Sequence, residues 1–246
     1  MTEPDDAVPR LLDGAIHFQR DVFPAQPGGL ALAQSPHTLF IACADSRVIP
    51  ELITQSAPGE LFVCRNIGNI VPAYGEMLGG VSAVVEYAVH ALGVANIVVC
   101  GHTGCGAMQA LSNPDDPTLA QMPTVSAWLR NAAAAHSVVA ILHPHLHGAA
   151  SVQALVEQNV LTQLGHLRTH PAVAARLAQG RLALHGWVYD IADGRVGVLD
   201  EAARRFVPAA EALATVLARA TERTREHAEL PTAHPPTAHH DEDTPR

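Results

Sequence analysis

The chain has 246 residues, of which 48% are hydrophobic, and it carries a formal net charge of −9 at neutral pH. That length and apolar content suffice for one sizeable core, and the negative charge argues against a nucleic acid as partner. All 15 residues counted as Lys or Arg are arginine, which excludes a Schiff-base lysine and a Walker-type phosphate lysine. We find no apolar run near the roughly 20 residues that span a membrane and no signal peptide in the acidic N-terminus. We therefore predict a cytoplasmic protein without a membrane partner.

Hydrophobic periodicity predicts strands and helices in alternation, followed by a late hairpin. This order is typical of an α/β fold with a mainly parallel central sheet, an antiparallel addition at its edge and flanking helices. We expect one domain over residues 1–222 and a disordered tail rich in His and Pro over residues 223–246. The predicted helices span 8–23, 48–55, 76–92, 104–111, 125–136, 152–169, 171–178 and 208–220. The predicted strands span 38–43, 61–64, 96–100, 182–189 and 196–199. We expect the first three of these strands to be buried.

Two short segments carry the chemistry, and each follows an apolar, β-branched run that predicts a buried strand. They are Cys43-Ala44-Asp45-Ser46-Arg47 and Gly101-His102-Thr103-Gly104-Cys105-Gly106. Open α/β sheets place their ligands at the carboxyl ends of strands, so we predict that Cys43, His102 and Cys105 meet there around one zinc ion. Three protein ligands leave a fourth position open, as in catalytic zinc sites. The alternative is two ordinary buried cysteines and a hydrogen-bonded turn histidine.

Asp45 and Arg47 stand two residues apart, next to the first predicted zinc ligand. A bidentate pair of arginine and carboxylate keeps the aspartate ionised and oriented. Zinc lowers the pKa of a bound water to roughly 7, and we predict that the pair orients the resulting hydroxide toward a substrate. Two thiolate ligands should leave the metal less acidic than imidazoles would, so activity should favour mildly alkaline pH. The alternative is a surface ion pair worth under about 1 kcal/mol.

The two segments resemble the Cys-x-Asp-Ser-Arg and Gly-His-x-x-Cys-Gly motifs of the β-class carbonic anhydrases. Residues 58–67 and Glu86-Tyr87-Ala88 are similar to the same family, and the similarity runs from about residue 11 to residue 199. The resemblance implies reversible hydration of carbon dioxide to bicarbonate and a proton. It assigns one zinc ion per chain to Cys43, His102 and Cys105 and makes Asp45 and Arg47 a catalytic dyad. In a closed, inactive form of some members the aspartate, here Asp45, occupies the fourth zinc position instead.

The resemblance also implies a substrate pocket and an assembly. The pocket residues are Gln34, Phe62, Ile67, Tyr87 and Gly106, the last through its backbone N–H. Part of the pocket wall is supplied across a dimer interface, so we expect a homodimer or a higher multiple of dimers, with the N-terminal helix as a dimer arm. Phe40 stands where members with an allosteric bicarbonate pocket carry Trp, which favours the constitutively open type.

Other functions fit the sequence less well. The glycines Gly101, Gly104 and Gly106 do not form the G-x-G-x-x-G pattern of dinucleotide-binding proteins. A zinc-binding sensor or scaffold without activity would not need the oriented carboxylate of Asp45. A hydrolase of the same fold that acts on carbonyl sulfide or carbon disulfide remains an alternative on sequence grounds.

The remaining histidines and cysteines are given structural interpretations. His143, His145 and His147 alternate, but the intervening Pro144 makes a regular strand unfavourable, so we predict a solvated loop rather than a metal site. The cysteines that lie within apolar runs, Cys64 and Cys100, are predicted to be inert core thiols.

Overall fold

The protein's computed structural model describes residues 4–26, 28, 30–76 and 79–229. Within these residues six strands form one sheet: β1 (Thr38–Cys43), β2 (Leu61–Asn66), β3 (Asn96–His102), β4 (Ala183–Tyr189), β5 (Val196–Asp200) and β6 (Arg205–Pro208). Their order across the sheet is β2-β1-β3-β4-β5-β6. The first four run parallel and the last two are added antiparallel. The predicted α/β class, with its antiparallel edge, is confirmed.

Helices precede, connect and follow the strands. They are α1 (Pro4–His17), α2 (Pro50–Thr54), α3 (Gly80–Tyr87), α4 (Gly106–Ser112), α5 (Pro117–Ala120), α6 (Pro123–Leu129), α7 (Ala133–Leu142), α8 (Gly148–Thr169), α9 (Pro171–Ala178) and α10 (Ala209–Glu229). Single π-helical turns follow α1 (Phe18–Val22) and α3 (Ala88–Leu92), and short 3-10 turns lie at Phe23–Ala25, Ile67–Asn69 and Arg130–Ala132.

The central strands β1 and β3 are buried on both faces, which explains their continuous apolar sequence. Leu39, Ile41 and Cys43 point into the larger core cluster, whereas Phe40 and Ala42 point into a smaller cluster on the opposite face. This alternation follows from the two-residue period of a strand. It puts the side chain of Cys43 on the face that also carries α8.

Two predictions about strands need correction. The apolar run at 61–64 was expected to be buried, but it lies in the edge strand β2 and its four residues are only half-buried. Strand β6, which pairs antiparallel with β5, was not predicted at all. Its four residues begin with the charged Arg205 and end with Pro208, so they lack the alternating apolar pattern that marks a strand.

The helical region 125–136 is longer and more broken than predicted. It consists of α6, a 3-10 turn and α7, and the loop with the three histidines follows it, exposed to solvent as predicted. The stretch Pro123–Leu142 is long and apolar enough to cross a membrane by length and composition alone, which was not recognised from the sequence. That is weak evidence, because core helices pass the same test, and Leu129, Ala135 and Val139 are buried in the core cluster.

Helix α8 packs closely on the sheet because two strand glycines leave room for it. A Cβ at Gly101 would lie 3.0 Å from a methyl group of Val160, and one at Gly186 would lie 2.9 Å from the other methyl group of that residue. Both glycines therefore face α8 without space for a larger side chain. Since Gly101 directly precedes His102, this contact also fixes the distance between α8 and the strand end that carries His102.

The helices at the two ends of the chain, α1 and α10, differ in extent from the predicted ones. Helix α1 is present as predicted, begins four residues earlier, and exposes Leu11, Leu12 and Ile16. Helix α10 belongs to a compact unit separate from the one that holds the sheet. It continues to Glu229, beyond the predicted end at residue 220, because its sequence is rich in the helix formers Ala, Glu and Arg. The remainder of the predicted tail, 230–246, lies outside the described residues.

Candidate metal centre

Three side chains with metal-binding atoms converge at the carboxyl edge of the sheet. Cys43 is the last residue of β1, His102 is the last residue of β3, and Cys105 directly precedes α4. Strands β1 and β3 are adjacent and parallel, with Ala42 opposite Cys100, so their carboxyl ends meet. The two sulfur atoms and one imidazole nitrogen all lie within 4.8 Å of one another. Among the described residues, no other group of three or more His, Cys, Asp and Glu side chains comes together in this way.

The imidazole of His102 is fully buried and presents a nitrogen without a hydrogen-bond partner. Its Nδ1 lies 3.0 Å from the carbonyl oxygen of Thr103, to which it can only donate, so Nε2 carries the lone pair. Nε2 has no partner among the described residues. A buried polar atom without a partner costs free energy, whereas a metal-ligating histidine typically donates its other N–H to a carbonyl group in this way. The donor set therefore fits zinc.

The two cysteine sulfurs lie close together, within 4.8 Å, and shift each other's pKa in opposite directions. The thiol of Cys105 donates a hydrogen bond to Cys43, which is the largest cause that lowers the pKa of Cys43 to about 4. The same contact, together with burial, raises the pKa of Cys105. Because zinc binds thiolates, a divalent cation held by both sulfurs would displace the remaining thiol proton. Backbone N–H groups also hydrogen-bond both sulfurs, those of Asp45 and Gly68 at Cys43 and those of Met108 and Ala107 at Cys105.

Asp45 and Arg47 form the predicted bidentate pair. The Nε of Arg47 donates to Oδ1 of Asp45 at 2.9 Å, and its Nη2 donates to Oδ2 at 2.7 Å. The backbone N–H of Arg47 also donates to Oδ1 at 3.0 Å. These contacts, the side-chain hydrogen bond first, hold the pKa of Asp45 well below its usual range.

The paired carboxylate lies beside the donor group but is not part of it. The Oδ2 atom of Asp45 is 4.0 Å from Nε2 of His102, yet the metal-binding group consists of the two cysteines and the histidine alone. Both oxygens of Asp45 are engaged by Arg47. The second predicted role of Asp45, as a metal ligand, would require a different and closed arrangement and stays a prediction.

Arg65 donates two hydrogen bonds to backbone carbonyl groups of the first motif. Its Nε donates to the carbonyl oxygen of Cys43 at 3.1 Å, and its Nη2 donates to that of Asp45 at 2.6 Å. Arg65 stands opposite Ala42 in the neighbouring strand β2. This contact was not predicted from the sequence, because it depends on the order of the strands.

The predicted pocket residues lie near the surface of the single chain. Phe62 is half-buried and its ring centroid lies 5.9 Å from that of Tyr87. Tyr87 and Ile67 are 50% and 44% exposed, and Gln34 is exposed in the segment before β1. Gly106 opens α4, where first-turn N–H groups have no partner within the helix. The structure thus brings Phe62 and Tyr87 together, and the exposure of this set is what a wall shared with a second chain would require.

A carbonic anhydrase family model matches residues 38–196 of the chain, a range that holds both motifs. A carbonic anhydrase from Pseudomonas aeruginosa is 57% identical over 204 residues, which cover 82% of this chain and 91% of the relative. The solved structure of the β-carbonic anhydrase CcaA superposes with a TM-score of 0.79 at 42% identity, covering 82% of this chain and 98% of that one. The chain belongs to the β-carbonic anhydrase family.

The family assignment confirms the resemblance noted in the two motifs. It also confirms that the chain is an enzyme of the carbonate dehydratase class. A further β-carbonic anhydrase structure, from Sordaria macrospora, has a TM-score of 0.65 at 30% identity, covers 78% of this chain and 93% of that one, and is described as tetrameric.

Proposed function

We propose that this β-carbonic anhydrase hydrates carbon dioxide reversibly at one zinc ion per chain, held by Cys43, His102 and Cys105. The observation that carries the proposal is the buried, unpartnered Nε2 of His102, which lies within 4.8 Å of two thiol sulfurs. Sulfur and imidazole nitrogen are the donors that zinc prefers, and three of them leave one position for a reactant.

Zinc, when bound, supplies a Lewis acid that makes a water molecule a nucleophile near neutral pH. The chain's own contribution begins with Arg47, which keeps the carboxylate of Asp45 ionised and fixed in orientation. Oδ2 of Asp45 accepts a hydrogen bond from the attacking water and so directs its lone pair away from Asp45 and toward the substrate. Orientation of this kind removes an entropic part of the barrier.

The substrate side of the site is apolar. Carbon dioxide is small and lacks a hydrogen-bond donor, so aromatic and aliphatic side chains such as Phe62, Tyr87 and Ile67 suffice to hold it. The backbone N–H of Gly106 donates a hydrogen bond to a substrate oxygen on which negative charge develops. Gln34 is a further polar contact for the substrate.

The pocket is completed by a second copy of the chain. Its wall residues Ile67 and Tyr87 are exposed in the single chain, and the same holds for the apolar residues of α1. An arm of this kind contributes to stability only when it packs on a partner. A homodimer or a multiple of dimers is the assembly that this exposure supports, and a cytoplasmic location stays a prediction.

The experiment combines metal analysis with stopped-flow hydration of carbon dioxide, followed with a pH indicator. We expect about one zinc per chain and fast hydration that is lost on chelation and restored by zinc. If the protein hydrolyses carbonyl sulfide but does not hydrate carbon dioxide, the proposed substrate is wrong and carbonyl sulfide takes its place. A protein that hydrates carbon dioxide at full rate after complete removal of metal would contradict the proposed site.

A further inference from the structure

The loop after β2 is fixed along α8 by a series of side-chain hydrogen bonds. Asn159 donates to the carbonyl oxygen of Gly68 at 3.0 Å, and the N–H of Val71 donates to Gln163 at 2.9 Å. The bonds continue toward the end of the helix, where His166 Nδ1 lies 2.8 Å from Val71 O, the N–H of Tyr74 donates to Thr169 Oγ1 at 2.8 Å and His170 Nε2 lies 3.0 Å from Pro72 O. Each of these contacts joins residues more than 90 positions apart in the sequence.

The side chains of Asn159 and Gln163 in this series are fully buried, although both are polar. Gln163 donates to the side-chain oxygen of Asn159 at 2.8 Å, so the two amides fix each other's orientation. Burial of unpaired amides would cost several kcal/mol, so two amides at this depth need partners. Their surroundings on α8 are apolar: Leu155, Val156, Val160, Leu164 and Leu167.

Gly68 connects this series to the metal centre. Gly68 lies two residues after Asn66, which stands opposite Cys43 across the sheet, and its N–H is the smallest of the contacts that lower the pKa of the Cys43 thiol. Glycine is required here, because φ is +76° and a Cβ added to Gly68 would lie only 2.9 Å from the Cβ of Ala107. The peptide unit that carries this N–H ends in the carbonyl oxygen of Ile67, which accepts a hydrogen bond from Nε1 of Trp128 at 2.8 Å.

The two peptide units on either side of the Gly68 Cα are therefore each held at their oxygen. Trp128 holds the preceding unit and Asn159 holds the following one. A left-handed glycine has wide conformational freedom, so these two contacts select one orientation of the N–H out of many. Loss of either contact would let the N–H turn away from the sulfur of Cys43.

We propose that Trp128 and Asn159, with Gln163 as the support of Asn159, are positioning residues that aim the N–H of Gly68 at the Cys43 thiolate and so strengthen zinc binding. The inference rests on the proposed zinc site. Groups that hydrogen-bond a metal ligand typically change metal affinity by 10- to 100-fold, and we expect a change of about 10-fold for each of the two contacts.

The test measures zinc affinity and zinc release by chelator competition, on the full chain and without reference to turnover. Trp128→Phe keeps an aromatic ring but removes the donor, and Asn159→Leu replaces the amide with an apolar group of similar size. Both variants should release zinc about 10-fold faster than the parent. Asn159→Asp should stay close to the parent at pH 6, because a buried carboxyl group is held neutral and can still donate to Gly68.

Two control variants separate positioning from general stability. Thr169→Val removes a hydrogen bond from the same helix to the same loop, but at Tyr74 rather than at Gly68. Leu167→Ala creates a cavity in the buried face of α8. Both controls should retain the zinc affinity of the parent, even where their melting temperatures fall as far as those of the test variants.

The outcomes distinguish this inference from the proposed function. If the parent binds no zinc at the three ligands, the proposed function fails first. If the parent binds zinc and Trp128→Phe and Asn159→Leu bind it equally well, only the positioning role is refuted. Equal losses of affinity in the controls would likewise overturn it. Should Asn159→Leu not fold, Trp128→Phe decides alone, because its half-buried ring is preserved.

Discussion

The carboxylate of Asp45 has two possible partners, Arg47 and the metal, and the structure shows it with Arg47. Asp45→Asn keeps the size of the side chain but removes the charge that orients the attacking water. We expect normal zinc content and a loss of about 100-fold or more in kcat, measured by stopped-flow hydration of carbon dioxide.

A matched control exists in the turn between β4 and β5. Asp193 and Arg195 are also two residues apart, and the N–H of Arg195 donates to Asp193 at 3.0 Å, as in the first motif. Asp193→Asn should leave kcat unchanged. Parent-like turnover in Asp45→Asn would remove Asp45 from the mechanism.

Arg47→Gln tests the ion pair through its pH dependence. The pKa of Asp45 is lowered in the folded state, chiefly by its side-chain hydrogen bond from Arg47. The pair therefore stabilises the fold above the unfolded-state pKa of about 4, and this contribution disappears as the pH falls through the folded-state pKa. Urea denaturation of metal-free protein should show a deficit for Arg47→Gln at pH 7 that shrinks below about pH 4. A deficit that grows on acidification would contradict the assignment.

Cys43→Ser tests the thiolate ligands. A serine hydroxyl stays protonated at neutral pH and is a poor zinc donor, so dialysis against a weak chelator should leave the variant nearly free of zinc. Cys64→Ser is the control, since Cys64 is a half-buried thiol on the neighbouring strand opposite Ile41. Zinc content by atomic absorption decides the question, and full occupancy in Cys43→Ser would exclude it as a ligand.

At the scale of residues, much of the site could be predicted from the sequence. Cys43 ends one predicted strand and His102 lies two residues after another, so strand patterning places both at carboxyl ends, and the pairing of β1 with β3 brings them together. The roles of Arg65, Trp128 and Asn159 could not be predicted, because each depends on which strand or helix lies beside the site. The only sequence signal for Asn159 was that it and Gln163 are polar residues on the otherwise apolar face of α8.

Among the elements, the loop after β2 makes the sharpest prediction. Gly68→Ala places a methyl group 2.9 Å from the Cβ of Ala107 at a φ of +76°, so we expect a loss of about 2 kcal/mol or more in unfolding free energy. Gly75→Ala is the control: its φ is +95°, but no atom of the described residues lies within 4 Å of the added carbon. It should lose only about 1 kcal/mol from backbone strain. Equal losses in urea denaturation would show that packing at Gly68 does not matter.

The elements also show what a local pattern can and cannot specify. Strands β1 and β3 were predicted because burial on both faces demands continuous apolar residues. The half-buried state of β2 was not, because its apolar residues do not reveal that it lies at an edge. The short β6 has too little apolar pattern to be recognised, and it forms because β5 offers it a hydrogen-bonding edge.

For the whole molecule, the exposed apolar face of α1 predicts an assembly that depends on this helix. Leu11 and Ile16 are 72% and 59% exposed in the single chain. Replacement of both by Asp would place two charges in the interface, and we expect a smaller sedimentation coefficient and a lower activity per zinc ion. Asp13→Asn on the same helix is the control. An unchanged assembly in the double variant would exclude α1 as the arm.

The most direct test of the zinc site is X-ray absorption at the zinc edge of active, zinc-loaded protein. We expect a shell of two sulfur atoms at about 2.3 Å and lighter atoms at about 2.0–2.1 Å. A shell with no sulfur, or with only one, would contradict the assignment of Cys43 and Cys105 as ligands.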